Sequence, residues 1–441
     1  MTQRADASDE PERSKPARAR PQRTPDEPAK LQKSDKPRQE RARRTRELIA
    51  QAAIGVLAKQ GLSRLTHRSV AAEAKVALAA TTYYYAAKPD IIRASSAAIL
   101  QHYVDALERT ADNYRRNPDH APPFREFVWR LLRKLARDDR MMMMAWQEIS
   151  LDAVRGSDSL ALMREWHEQF YRLWTNIARA TKTADPKNAA RSGIDTILGL
   201  LLMVCALSLT PEDIDAVLIG NGEPSRHWAR LPEGTPSQTA TKRRGRKADG
   251  TRERILDAAI QILTSDGPGA VGYRAIAERA GLTVAAPAYY FPTNASILEA
   301  AQRKLFGDSK VRYRDMLHAL QPSEAHVADL TATIFIREAT EYAQVNLANF
   351  AIWIEAGRRP QLAPMIWSAV SDQENAWRRV LTIAGGTPRP CDGVLAQALF
   401  LGKLQRILST GSSTAALAQV RPEFARDLAA IQAGCFWGQA E

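Results

Sequence analysis

Apolar residues recur along the chain at three- and four-residue intervals, the spacing of one face of an amphipathic α-helix. Ile255, Ala259 and Ile262 show the pattern, with polar or charged residues between them. Beta-branched alternation with paired turn signals, which would indicate strands, is missing from the sequence. We therefore predict an all-α fold. The longer helical segments are expected at 91–117, 124–137, 160–180, 193–209, 297–320, 325–348, 365–383 and 391–409.

Two shorter regions each predict three compact helices. In the second region, Gly267 ends the first helix, residues 273–280 form the next, and Gly281 permits the left-handed turn into a third. Phe291-Pro292 ends that third helix, because proline cannot continue it. The first region runs the same way through 49–57, 66–74 and 77–85.

These two regions match each other in sequence. One shift of 206 residues (274 − 68 = 206) aligns them without gaps over 45–92. Thr45-Arg46-Glu47 falls on Thr251-Arg252-Glu253, and Tyr83-Tyr84 falls on Tyr289-Tyr290. A single register through so many identities indicates two copies of one unit.

The pattern divides the chain into six segments. Residues 1–40 are charged and rich in proline, with too few apolar residues for a core, and we expect them to be disordered. The other segments are a first three-helix head at 41–89, a first helical bundle at 90–230, a basic linker at 231–250, a second head at 251–295 and a second bundle at 296–441.

Composition adds one strong indication. Of 441 residues, 45% are hydrophobic and 25% charged, as in ordinary globular proteins. The net charge of +13 favours an anionic partner, above all nucleic acid. The charged N-terminus predicts no secretory signal, three scattered cysteines suit a reducing compartment, and no apolar run predicts a membrane span. We expect a cytoplasmic protein that does not bind membranes.

The sequence offers little for catalysis. Residues 267–272 spell G-x-G-x-x-G but follow a predicted helix rather than a strand, which argues against a dinucleotide site. The seven histidines do not cluster, and neither a zinc spacing nor a nucleophile elbow occurs. We expect no enzyme activity and no cofactor.

The three-helix regions predict DNA binding. A helix, a tight turn and a second helix of this size form the helix-turn-helix, whose second helix enters the major groove. The runs VALAATTYYYAAK (76–88) and LTVAAPAYYF (282–291) resemble the recognition-helix signature of the TetR family of transcriptional regulators. The resemblance is specific over about 45–98 and 251–304, while the bundles share only length, helical character and apolar content with the family.

The resemblance implies DNA contacts at particular positions of each head. Arg68 and Arg274 fall where family members approach guanine, and an arginine can bind its O6 and N7 together. Thr283 is expected to cap the second recognition helix. Residues implied to face bases are Leu78, Ala79, Ala80, Tyr83, Val284, Ala285, Ala286 and Tyr289. Implied phosphate contacts are Thr82, Tyr84, Tyr290 and Lys88. A packed position at the rim remains the alternative for each tyrosine.

The two heads are not equivalent. Lys75 stands where the second head has Gly281, and Lys88 where it has Asn294. Ala77 lacks the capping hydroxyl that Thr283 supplies, and Gly272 replaces the capping residue Thr66. Lys75 in a left-handed turn would cost about 1 kcal/mol. We predict that the heads read different half-sites and that the operator is asymmetric.

Basic clusters precede both heads. They consist of Arg41, Arg43, Arg44, Arg46, Lys242, Arg243, Arg244, Arg246 and Lys247. Such arms can enter the minor groove or follow the phosphates. A solvated linker is an equal interpretation.

The resemblance also implies that the bundles bind a small effector that alters head spacing. Aromatic and methionine side chains suit adaptable pockets, although ordinary core packing is the commoner explanation. The candidates are Trp146, Glu148, His167, Tyr171, Trp174, Trp353, Glu355 and Trp367, with Arg358 as a further polar group. Trp146-x-Glu148 and Trp353-x-Glu355 correspond at a shift of 207 (353 − 146 = 207), which suggests that the bundles were duplicated as well.

Family members act as homodimers joined by two late helices of each subunit. Here 193–209 and 391–409 are the natural counterparts within one chain. We therefore expect a single-chain pseudo-dimer, usually a repressor in this family, on double-stranded DNA, released by a small apolar effector. Further pairing of two chains stays open. Two other classes of function also stay open, an architectural DNA binder with little sequence preference and a helical enzyme or ligand carrier.

Overall fold

The computed structural model describes residues 28–156, 158–230, 246–320 and 327–434. Regular structure in these ranges consists of α-helices and short 3-10 turns, which confirms the prediction of an all-α fold for the described chain. Two compact units are distinguished, Met1–Arg46 and Glu47–Glu441. Both bundles lie in the second unit.

The first half contains α1 (Pro28–Gln60), α2 (His67–Ala74), α3 (Leu78–Tyr84), α4 (Lys88–Arg116), α5 (Phe124–Arg137), α6 (Arg140–Val154), α7 (Ser159–Ala180), α8 (Pro186–Leu207), α9 (Pro211–Leu218) and α10 (Pro224–His227). The second half contains α11 (Arg246–Ser265), α12 (Tyr273–Ala280), α13 (Ala285–Tyr290), α14 (Asn294–Leu320), α15 (Val327–Ala339), α16 (Ala343–Ala356), α17 (Ala363–Ile383), α18 (Asp392–Thr410), α19 (Thr414–Ala418) and α20 (Val420–Gln432). The 3-10 turns Leu62–Arg64 and Pro268–Ala270 follow α1 and α11 at equivalent places.

Helix α1 begins earlier than the sequence pattern predicts. Residues 28–40 belong to it, so the expectation of disorder through residue 40 is wrong for this part, and residues 1–27 lie outside the described chain. The segment is rich in Lys, Arg, Gln and Glu, which lose little side-chain freedom in a helix. An ion pair of 2.8 Å between Arg44 and Glu40, four residues apart, adds to this local preference.

The helix order repeats in the two halves, with a change of spacing between heads and bundles. Helices α2 and α12 begin at His67 and Tyr273, a shift of 206 residues (273 − 67 = 206). Helices α5 and α15 begin at Phe124 and Val327, a shift of 203 (327 − 124 = 203), and α6 and α16 differ by 203 as well. The second half is therefore three residues shorter between the starts of its fourth and fifth helices.

This bundle register corrects the alignment of two tryptophans. At a shift of 203, the residue of α16 that corresponds to Trp146 is Asn349, and Trp353 lies about one helical turn further on. The correspondence at 207 is wrong as a structural one. A slip of four residues returns a side chain to nearly the same helix face, so the pattern alone does not reveal it.

Helices α8 and α18 make the closest contact between the two bundles. A Cβ built on Gly199 would lie 1.8 Å from the carbonyl oxygen of Ala398, and one built on Gly402 would lie 1.7 Å from that of Asp195. Both pairs are related by 203 residues (402 − 199 = 203), so the crossing has pseudo-twofold symmetry. Only glycine permits so close an approach. Helix α8 is long and apolar enough to cross a membrane, but nearly all of it is buried within the protein.

A buried network of charges lies beside this crossing. The ammonium of Lys403 is 3.0 Å from Asp195 Oδ2 and 2.5 Å from Glu423 Oε2, and Lys403 has no exposed surface. Arg406 pairs with Asp195 at 2.6 Å. Burial alone would raise the pKa of Asp195, but the two cations hold it at about 2. Since Leu200 occupies the position in α8 that corresponds to Lys403, the network joins the halves asymmetrically.

Candidate nucleic-acid interface

The first head presents a helix, a tight turn and a second short helix. Thr66 and Ser69 form a reciprocal capping box that fixes the start of α2. The helix ends at Lys75, whose φ of 56° and ψ of 40° lie in the left-handed region. Ala77 precedes α3 without a side-chain cap. The strained turn and the missing cap predicted from the sequence are both confirmed.

The second head makes the same turn with glycine. Gly281 has φ 62° and ψ 45°, and Gly272 precedes α12 without a side-chain cap, as predicted. The expected cap by the Thr283 side chain is wrong. Helix α13 begins one residue later than expected, so Val284 is its N-cap residue, and Pro287 at the third helical position has no N–H to donate. Thr283 contributes only its carbonyl, which accepts from Ala286 at 3.0 Å.

Helices α3 and α13 expose large apolar side chains at equivalent positions. Tyr83 and Tyr289 are 78% and 74% exposed, and Leu78 and Val284 are 46% and 59% exposed. Apolar groups in this position suit the methyl groups of thymine. Exposed apolar side chains that recur on two short helices indicate a surface that contacts another molecule.

The remaining predicted DNA contacts divide by burial. The exposed ones are Arg68, Ala79, Thr82, Arg274, Thr283 and Ala285, and the half-buried ones are Ala80, Tyr84, Ala286 and Tyr290. Tyr83 packs edge-on against Tyr84 with ring centroids 5.0 Å apart, and Tyr289 against Tyr290 at 5.3 Å. In each head the half-buried tyrosine therefore supports the exposed one.

Lys88 departs from its predicted role on phosphate. Its side chain is half-buried and its ammonium donates to the carbonyl of Leu62 at 2.8 Å. Burial lowers the pKa of this lysine. Its hydrogen bond stabilises the 3-10 turn of the first head, so the structure corrects the expectation of a backbone contact to DNA.

The basic arms are helical as far as they are described. Arg41, Arg43, Arg44 and Arg46 are exposed and belong to α1 rather than to an extended linker. Arg246 and Lys247 open α11, and their side chains lie outside the described part. Lys242, Arg243 and Arg244 lie outside the described residues altogether.

The first bundle contains an apolar cavity of about 50 Å³. Of the residues proposed for an effector pocket, Trp146, His167 and Trp174 line this cavity, whereas Tyr171 lies outside it beneath the guanidinium of Arg191. Burial, together with the charge of Arg406, lowers the pKa of His167 to about 3, so its imidazole is neutral near pH 7. Tyr103, Met143, Trp166 and Phe170 line it as well.

The second bundle has cavities of its own. A cavity of about 120 Å³ is lined by Trp377, Phe400 and the amides of Gln373 and Gln397, which bond each other at 2.6 Å. A smaller cavity that shares Phe400 includes Trp353, Asn346 and Asn349. Trp367 is buried but lines neither cavity. Aromatic spacing singles out the tryptophans, whereas nothing in the sequence distinguishes these amides from surface residues.

The two acidic effector candidates lie beside a head instead. Glu148 Oε1 is 2.7 Å from Arg358 Nη2, and its other oxygen accepts from the backbone N–H of Leu62 at 3.0 Å. Glu355 pairs with Arg358 at 3.0 Å and with Arg359 at 2.6 Å. Both carboxylates are thus occupied by arginines and lie outside the bundle cavities, which corrects their predicted place in an effector pocket.

The two heads touch through their 3-10 turns. A Cβ on Gly269 would lie 2.1 Å from Ser63 Oγ, so a side chain at residue 269 would require the Ser63 hydroxyl to move. This contact places the heads side by side within the second unit.

Comparison with known families gives two matches, both in the second half. Residues 255–301 match the model described as "Bacterial regulatory proteins, tetR family", and these residues run from α11 into α14. Residues 322–430 match "Tetracyclin repressor-like, C-terminal domain". No curated protein matches the chain. The matches cover the second head and most of the second bundle.

Proposed function

We propose that this chain, a TetR-family DNA-binding regulator of transcription, acts as a single-chain pseudo-dimer that binds one asymmetric operator. The family match supports one DNA-binding head, at 255–301. The observation that carries the proposal is the same geometry at 66–84. In the first head, helices of eight and seven residues are joined through Lys75 in the left-handed conformation. In the second head, helices of eight and six residues are joined through Gly281 in the same conformation.

The contact between α8 and α18 supports the pseudo-dimer. A homodimeric regulator needs an interface between its late helices, and here the glycine crossing and the Lys403 network provide one within a single chain. Heads so joined would occupy successive major grooves about one helical turn apart.

We further propose release by a small apolar effector, with repression as the mode of action. The aromatic cavity around Trp146 and His167 supports an apolar ligand. The cavity around Trp377 and Phe400 is also mainly apolar, and the amides of Gln373 and Gln397 supply hydrogen-bonding groups at its wall. Binding would shift the population toward a head spacing that no longer fits the operator.

A footprint on the DNA beside the protein's own gene, with the mass of the complex measured, tests the proposal. We expect a compact, asymmetric footprint bound by one chain. Arg68→Ala should weaken one half-site and Arg274→Ala the other, each by about 1–3 kcal/mol. Arg109→Ala, at an exposed arginine of the first bundle, serves as the control and should change neither.

The other outcomes each identify a different protein. Uniform protection that salt removes evenly would indicate an architectural DNA binder. Ligand turnover, or ligand binding that ignores DNA, would indicate an enzyme or carrier. Two chains on one operator would replace the pseudo-dimer with pairing between chains.

A further inference from the structure

Each head is held at one point by an arginine from the opposite half of the chain. Arg358, just after α16, donates from Nε to the carbonyl of Ala58 at 2.7 Å and from Nη2 to that of Leu57 at 2.9 Å. These carbonyls belong to the last turn of α1, in the first head. An arginine of the second half therefore binds the first head.

The reciprocal contact exists in the second head. Arg155, just after α6, donates from Nε to the carbonyl of Thr264 at 2.9 Å and from Nη2 to that of Leu263 at 3.4 Å. These carbonyls end α11. In both contacts, Nε and Nη2 of the arginine bind two carbonyls at the end of a head helix, and the arginine and the head belong to different halves of the chain.

The two contacts are related by the pseudo-symmetry of the chain. The acceptors correspond at the head shift (264 − 58 = 206), and the arginines at the bundle shift (358 − 155 = 203). Gly61 and Gly267 follow the two head helices with φ of 78° and 83°, and each lies beside one of the arginines. A Cβ on Gly61 would lie 3.4 Å from Arg358 Nη1, and one on Gly267 would lie 3.4 Å from Arg155 Nη2. We refer to the two contacts as the crossed clamps.

The chemistry of each clamp favours a fixed position for the head. The last carbonyls of a helix have no partner within it and carry the negative end of its dipole. A guanidinium satisfies two of them at once, and its planar arrangement of donors fixes direction as well as distance. Arg358 is further held by Glu148 and Glu355, and its side chain is only 8% exposed.

Each clamp also continues a helix that lines a cavity. Helix α6 carries Met143 and Trp146 at the cavity of the first bundle and leads directly into Arg155. Helix α16 carries Asn349 and Trp353 at the smaller cavity of the second bundle and leads into Arg358. A displacement of either helix along its axis would therefore move the arginine that binds the opposite head.

We propose that Arg155 and Arg358 are positioning residues that couple each bundle to the head of the other half. The first bundle then contributes to the placement of the second head, and the second bundle to that of the first, in addition to the contacts that each head makes with its own bundle. The consequence for operator spacing rests on the proposed function, whereas the clamps can be tested without DNA.

Hydrogen exchange of the full-length chain tests the clamps directly. Arg155→Met removes charge-assisted hydrogen bonds to the second head and should speed amide exchange in residues 251–295 by roughly tenfold. Exchange in residues 47–89, the first head, should stay unchanged. Arg358→Met should give the opposite pattern. Arg312→Met is the matched control, since Arg312 pairs with Glu338 inside one bundle, and it should leave both heads unchanged. Faster exchange in the head of the same half, or equally in both heads, would overturn the proposal.

Operator spacing provides a readout that a merely stabilising contact would not move. On operators whose half-sites are moved apart by one or two base pairs, the wild-type chain should lose affinity steeply and the clamp variants only gradually. Steep losses in the clamp variants too would refute a positioning role. If the wild-type chain binds no specific operator, the proposed function fails, while the exchange pattern still decides whether the clamps are crossed.

Discussion

The left-handed turn between the helices of each head shows how much a single residue decides. Position 75 in the first head and position 281 in the second have nearly the same backbone angles, but one carries lysine and the other glycine. A side chain with a Cβ is disfavoured in this region, whereas glycine is not. The first head therefore carries a local cost that the second head does not.

Lys75→Gly should stabilise the first head by about 0.5–1 kcal/mol, the steric relief being partly offset by the greater freedom of glycine in the unfolded chain. Gly281→Ala, the matched change in the second head, should destabilise it by a similar amount. Urea unfolding of the full-length chain, monitored by amide exchange in each head, measures both. A Lys75→Gly variant no more stable than the wild-type chain would contradict the argument.

Residue roles that depend on the local backbone could be predicted from sequence, and those that depend on packing could not. The turn at Lys75 and the uncapped Ala77 follow from alignment of the two heads. The Thr283 cap failed because α13 begins one residue later, ahead of Pro287. Lys88 binds Leu62, a partner 26 residues away that no local pattern indicates.

At the scale of helices, the crossing of α8 and α18 depends on charge as well as on glycine. Lys403 is surrounded by Asp195, Glu423 and Asp427, the last at 3.7 Å. Desolvation lowers the pKa of a buried lysine, but here the three carboxylates raise it, so Lys403 remains charged. A charge in this setting is stabilised only while its partners remain.

Lys403→Met should destabilise the protein by about 3–5 kcal/mol, since it leaves buried carboxylates without their central cation. Lys310→Met removes an exposed lysine paired with Asp372 and should cost less than about 1 kcal/mol. Thermal unfolding of the two variants gives the comparison. Equal losses would mean that the network contributes little to the interface.

Periodicity predicts that the helices exist, but not how the halves correspond. The bundle segments were identifiable from their apolar spacing, whereas the shift of 203 became clear only from helix bounds. The start of α1 at Pro28 could not be predicted from periodicity for another reason. Its first turns have no apolar face, and helix propensity alone is a weak signal.

At the scale of the whole molecule, the halves are joined by more than the peptide chain. The α8–α18 crossing, the contact of Ser63 with Gly269 and the crossed clamps all link one half to the other. Each of these links joins residues more than 100 positions apart. The pairing of the two late helices follows from the family resemblance, whereas no local sequence pattern indicates the contact between the heads or the clamps.

A protease site placed within 236–242 should therefore cut the chain without separating it. We expect the two fragments to migrate as one particle at micromolar concentration, with unchanged DNA affinity, because the noncovalent contacts hold them in place. Affinity should fall on dilution, since the linker no longer supplies a high effective concentration. Sedimentation before and after cleavage measures this, and fragments that separate at once would show that the linker alone joins the halves.

The asymmetry of the Lys403 network has a consequence for cells that carry two different copies of the gene. Lys403 finds Asp195 only where α18 meets α8, and two copies of α18 would bring Lys403 and Arg406 against their own like charges. Like halves of two chains are thus poorly suited to pair, and the linker favours contact of α8 with α18 of the same chain through its high effective concentration. In an ordinary dimeric regulator, a defective subunit inactivates the mixed dimers that it forms with intact subunits. A cell with one damaged and one intact copy of this gene should instead retain fully working molecules from the intact copy.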